Sequence, residues 1–169
     1  MQDWSGEWWI NTNSQGIRDI MQKRITLAQQ KGCDAIDPDN VDAYNNAEEQ
    51  LPLKLTENDA VNYTSWLADT AHGMGLAMGL KNALEIVSQV LPKMEFQVNE
   101  QCVINNECDT LTQFTDNGKP VFHIEYPYGT QTTNPSSVSS AVETEYCNAP
   151  KQFSSVLKTM GLDSWVYTC

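Results

Sequence analysis

Basic residues are scarce in this chain: ten Lys plus Arg stand against 22 Asp plus Glu, for a formal net charge of −12. That is the wrong sign for phosphate backbones and anionic membrane surfaces, which argues against nucleic acid and membranes as partners. No apolar run approaches the ~18 residues that a bilayer-spanning helix needs. The opening MQDWSGEWWI lacks the basic-then-apolar order of a signal peptide. Histidine occurs only twice and the five cysteines form no CxxC pair, so the spacing gives a zinc site little support. Neither a metal nor a cofactor is expected.

What remains is a chain of 169 residues, enough to bury a core of its own, and residues 1–169 read as one domain. Disulfides are the better use of the cysteines. Cys102 and Cys108 are close enough to staple a loop, and Cys147 can clip Cys169, which leaves Cys33 odd and placed in a buried strand. Paired cysteines point to an oxidising, extracellular compartment.

Apolar spacing then organises the chain. Ile17, Ile20, Met21, Leu27 and Ala28 share one helical face that stops at Gly32. A strand "CDAI" follows. Thr56 and Asp59 form a capping box at the head of a second helix, which ends near Gly75 before a strand "LAMGL". Asn82, with Glu85 three residues on, is placed to cap "ALEIVSQVL", and Pro92 closes that helix before the strand "EFQVN". A short helix near Asp109–Phe114 precedes the β-rich "PVFHIEY". Residues 130–146, rich in Ser, Thr and Asn, read as a surface loop insertion. Pro150 opens a last helix with Phe153, Val156, Leu157 and Met160 on one face, and "DSWVYTC" is the closing strand. Strands alternating with helices imply an α/β fold with about five parallel strands, either an open sheet or part of a (β/α)8 barrel.

In such folds chemistry gathers at the carboxyl ends of the strands. Polar groups fall there repeatedly: Asp37 and Asp39 after the first strand, Lys81 and Asn82 after the second, Asn99 and Glu100 at the third, Glu125 and Tyr126 at the fourth. Two carboxylates facing one cavity can perform acid/base or nucleophilic work. Plainer roles compete: Asn82 and Glu85 as helix caps, Asp42 as a cap, Lys81 as a neutralising charge, and His72 and His123 as structural residues. Trp4, Trp8, Trp9 and Tyr44 are candidates for stacking on sugar rings, or for the core. A calcium loop fits Asp37, Asp39 and Glu48 at its first, third and twelfth positions, but Val41 and Asp42 occupy the fifth and sixth, where a ligand and a glycine are required.

At "GCDAIDPDNVDAYNN", "GLAMGLKNALEIV", "FQVNEQCVINNECDTL", "GKPVFHIEY" and "FSSVLKTMGLDSWVYTC" the chain resembles glycoside hydrolase family 114. The resemblance implies a (β/α)8 TIM-type barrel, here a partial one whose first strands would precede this sequence. It implies a secreted endo-α-1,4-polygalactosaminidase-like glycosidase, and as partner a cationic or partly acetylated galactosamine polysaccharide. The family's Asp and Glu map onto "DPDN" and onto Glu100 of "NEQC". Likeness to the "D-N" segment of α-galactosidase-type barrels selects Asp39 as nucleophile, with Glu100 as acid and base. Asp37, Asn40, Tyr44, Lys81, Asn82, Asn99 and Glu125 are then expected to bind substrate. The competing expectation is a truncated, non-catalytic carbohydrate-binding fragment.

Overall fold

The computed structural model describes residues 5–46, 52–129 and 134–169. Trp4 and Glu48, named above for sugar stacking and for the calcium spacing, lie outside the described residues. The chain divides into two compact units, Met1–Glu95 and Phe96–Cys169.

The first unit carries α1 (Gln15–Gln30), β1 (Ala35–Ile36), a 3-10 turn over Ala43–Asn46, α2 (Glu57–His72) and β2 (Ala77–Lys81). The capping box forms as the sequence indicates: the Thr56 side chain accepts from the Asp59 backbone N–H, and Asp59 returns a carboxylate to the Thr56 N–H at 2.8 Å. From there Ala60, Tyr63, Thr64, Leu67, Ala68 and Ala71 recur at three- and four-residue intervals and form the buried stripe of α2. Gly75, at φ +76°, turns the chain back so that Leu76 N–H can bond the Ala71 carbonyl at 3.0 Å. β1 then pairs parallel with β2, Ala35 against Ala77 and Ile36 against Met78. Leu67, Met78 and Leu80 are almost wholly buried, each contributing about 1.5–3 kcal/mol of hydrophobic stabilisation.

Two local expectations need correction in this unit. Cys33 precedes β1 and is exposed, so it is not a buried strand residue. The helix after β2 is broken into a 3-10 turn Leu84–Ile86, α3 (Val87–Val90) and a second turn Leu91–Lys93. Asn82 and Ala83 both adopt left-handed backbone, φ +49° and +53°, whereas a capping residue needs extended dihedrals. β-Branched Ile86, Val87 and Val90 add little helix propensity to resist the break.

The second unit carries β3 (Phe96–Glu100), α4 (Cys108–Asp116), β4 (Val121–Glu125), α5 (Ser140–Tyr146), β5 (Ser154–Leu157) and β6 (Tyr167–Thr168). β3, β4 and β5 pair in parallel, with Glu100 against Ile124 and Ile124 against Val156. Among the described residues only β6 runs antiparallel, to β5. The expected last helix is therefore a strand. Its apolar spacing suits a helix, but Ser154, Ser155 and Val156 are weak helix formers and the flank of β4 offers them a row of backbone partners. Pro150 opens a turn in which Phe153 N–H bonds its carbonyl at 2.9 Å. "DSWVYTC" yields a two-residue antiparallel strand in place of a parallel one. Within the stretch expected as a loop, Ser140–Tyr146 is helical, capped by the Ser139 hydroxyl on Val142 N–H at 3.3 Å; residues 130–133 lie outside the described residues. The fold is α/β with mostly parallel strands.

Both expected disulfides are present, Cys102–Cys108 and Cys147–Cys169. Among the described residues no helix is long and apolar enough to cross a membrane.

Candidate active site

In the first unit the polar residues collect just beyond the carboxyl ends of β1 and β2. Lys81, the last residue of β2, reaches Asp39 with Nζ 3.1 Å from Oδ1. The same oxygen accepts the Asn40 backbone N–H at 3.0 Å, and Asn40 takes φ +56°, a conformation that asparagine tolerates better than most residues. Both bonds fall on Oδ1, while the Asp39 side chain as a whole is 60 % exposed. The carboxylate is thus oriented by one oxygen and presents the other.

A cavity of about 360 Å³ lies in this unit, lined by Asp37, Asp39, Asn40 and Tyr44 with Trp9 and Tyr63 among the aromatic neighbours. Trp8, by contrast, is 77 % exposed. Glu85 bridges the turn that carries Tyr44: its two carboxylate oxygens accept Tyr44 OH at 3.0 Å and Asn45 Nδ2 at 3.1 Å. That role was missed at the sequence level, where spacing from Asn82 made Glu85 look like a cap. Burial pushes the Tyr44 hydroxyl above its ordinary pKa, and the adjacent Glu85 carboxylate adds to the effect. Asp42 is raised too, by burial first and then by Glu85 and Asp39, with Lys81 opposing. Within the aspartate-rich stretch, Asp39 therefore pairs with Lys81 while Asp42 is partly buried near both.

In the second unit, strand alternation separates residues that adjoin in sequence. Glu100 pairs with Ile124 and Asn99 with His123. Register partners in a parallel pair point the same way, so Glu100, Ile124 and Tyr126 share one face, and Asn99, His123 and Glu125 share the other. Tyr126 OH donates to Glu100 Oε1 at 2.5 Å. On the opposite face, Asn99, His123 and Glu125 are buried. Asn99 Oδ1 accepts Cys102 N–H at 3.2 Å, and Glu125 Oε1 accepts Val103 N–H at 2.7 Å and His123 Nε2 at 2.9 Å. His123 Nδ1 lies 3.0 Å from Ser155 Oγ.

By this register Asn99 and Glu125, both expected to bind substrate, do not share a face with Glu100. Asn99 and Glu125 fasten the 101–107 loop, and Tyr126 stands beside Glu100. The signal was in the sequence, since only every second residue of "VFHIEY" can share a face, but choosing the face requires the pairing with β3.

Cys102, Cys108 and His123 bring possible ligand atoms within 4.8 Å of one another. The two sulfurs are joined in the disulfide, which leaves no thiolate to bind a metal.

A model of "Glycoside-hydrolase family GH114" matches residues 1–169. The crystal structure of Aspergillus fumigatus Ega3 in complex with galactosamine superposes with a TM-score of 0.94 at 45 % sequence identity, covering 100 % of this chain and 67 % of that one. No curated protein matches the chain.

Proposed function

Because the chain belongs to glycoside hydrolase family GH114 and is a glycosidase, we propose that it hydrolyses α-1,4-linked galactosamine-containing polysaccharide with retention of configuration. Asp39 is the nucleophile and Glu100 the acid and base. The observation that carries the assignment is the way each carboxylate is held: one oxygen of Asp39 is engaged by Lys81 and Asn40, and one oxygen of Glu100 by Tyr126. In the first half-reaction the other Asp39 oxygen bonds the anomeric carbon as Glu100 gives its proton to the departing glycosidic oxygen. In the second, Glu100 takes a proton from water as the water oxygen displaces Asp39. Asp37, Asn40 and Tyr44, which line the first-unit cavity, bind sugar hydroxyl or ammonium groups, and Lys81 orients the nucleophile. A polymer bearing ammonium groups suits a chain of net charge −12. Disulfide pairing supports an extracellular setting.

The test is hydrolysis of partly de-N-acetylated α-1,4-galactosaminan by the full-length protein, with proton NMR of the first-formed anomer. Asp39→Asn is expected to abolish turnover, because an amide is a poor nucleophile toward an anomeric carbon. Glu100→Gln is expected to lose the polymer yet keep an aryl glycoside of good leaving ability, with azide restoring release of product. An inverted first product excludes the double displacement; a dead Asp37→Asn beside an active Asp39→Asn moves the nucleophile to Asp37.

A further inference from the structure

We infer that Tyr126 is a positioning residue for Glu100, whose phenol, by occupying Oε1, assigns the transferable proton of the neutral acid to Oε2. The inference rests on the reading of Glu100 as acid and base, and deepens it. Its geometry is local to one pair of strands. Glu100 ends β3 and pairs with Ile124, so Tyr126, two residues further along, stands on the same face one step beyond. There its hydroxyl donates to Oε1 at 2.5 Å from a residue only 7 % exposed. A phenol pointed at an oxygen in so buried a position cannot readily turn to a water instead.

The main chain at Glu100 is held as well. Gln101, at φ +67°, turns its N–H to the Ile124 carbonyl at 2.8 Å. The next two amides are taken by Asn99 Oδ1 and Glu125 Oε1. The Cys102–Cys108 bridge and the Glu107 N–H to Cys102 carbonyl bond at 2.9 Å close the loop behind them. With the backbone fixed from the far face of the sheet, the remaining freedom of Glu100 is rotation about its side-chain bonds, and the Tyr126 hydroxyl restrains it.

The proton assignment follows from the bonding. While Oε1 accepts the Tyr126 O–H, a neutral Glu100 carries its own hydrogen on Oε2. Glycosidic cleavage breaks the Oε2–H bond, sends that proton to the departing oxygen and leaves a carboxylate whose Oε1 is still bonded by the phenol. Deglycosylation returns a proton from water to Oε2. Tyr126 keeps its own proton throughout, so its effect on the reaction is through where the acid points.

The experiment compares wild type, Tyr126→Phe and Glu100→Gln on the α-1,4-galactosaminan polymer and on an aryl oligosaccharide glycoside that needs little protonation. Phe keeps the ring and removes the donor. The expected result is a kcat/KM on the polymer, which reports the glycosylation step, lowered roughly tenfold by Tyr126→Phe, a part of the ~100- to 10,000-fold that general acid catalysis supplies, with kcat/KM on the aryl substrate nearly unaffected. If Tyr126→Phe slows both substrates equally, or neither, while Glu100→Gln remains selective, Tyr126 does not position the acid and the reading of Glu100 stands alone. If Glu100→Gln shows no selectivity between the substrates, or wild type leaves the polymer intact, the reading of Glu100 fails and the inference falls with it.

Discussion

Asp42 shows how a single side chain records its surroundings. Its carboxyl is raised above the ordinary aspartate value by burial, with Glu85 and Asp39 adding repulsion. A raised acid binds its proton more tightly folded than unfolded, so stability is greatest while the group is protonated and declines as pH rises from the unfolded value through the folded one. Asp42→Asn removes this charge while keeping an acceptor for the local backbone N–H. The variant should have a higher thermal midpoint than wild type at pH 7, and the gap should close near pH 3, where wild type is neutral at this position too. Equal midpoints at pH 7 would mean that the burial and repulsion around Asp42 carry no net cost.

At the scale of elements, β4 has two faces with different duties. Glu125 belongs to the anchoring face, where one carboxylate oxygen accepts from Val103 and His123 while Oε2 is buried without a hydrogen-bond partner among the described residues. Glu125→Ala leaves a buried amide and an imidazole unsatisfied and should cost about 2–4 kcal/mol in denaturant unfolding. Glu125→Gln keeps an acceptor at Oε1 and should lie much nearer wild type in stability and KM. A large rise in KM for the Gln variant at unchanged stability would return Glu125 to the substrate. The same strand explains how much could be read in advance. The α2 capping box is a matter of neighbours three residues apart, and it was legible. The strand ends at Lys81 and Glu100 were legible as well. The face of β4 was not, because it depends on a partner 24 residues upstream, as in the pairing of Ile124 with Glu100. β5 was hidden for a related reason: Phe153, Val156, Leu157 and Met160 fit a helical period, and only the open flank of β4 makes a strand the better outcome.

For the molecule as a whole, the net charge of −12 acts on encounter more than on the fold. Attraction to an ammonium-bearing polymer is screened over about 10 Å at 0.1 M salt and about 3 Å at 1 M. KM for a deacetylated galactosaminan should therefore rise several-fold across that range, whereas a fully acetylated polymer, lacking the cations, should show little change. Matching salt dependences for the two polymers would remove long-range charge from the account of substrate capture.

Cys33 adds a consequence of another kind. It is an exposed thiol in a chain whose other four cysteines form two bridges. A thiolate attacks disulfide sulfur whenever one becomes reachable, so each molecule carries its own reagent for scrambling. Heating or alkaline storage that loosens either bridge lets Cys33 capture a sulfur from its own chain or from a neighbour. The product is then a ladder of covalently linked species in place of a reversible unfolded state. Shelf life and refolding yield thus depend on the one cysteine that the native bridges leave over, and blocking it should preserve a single covalent form.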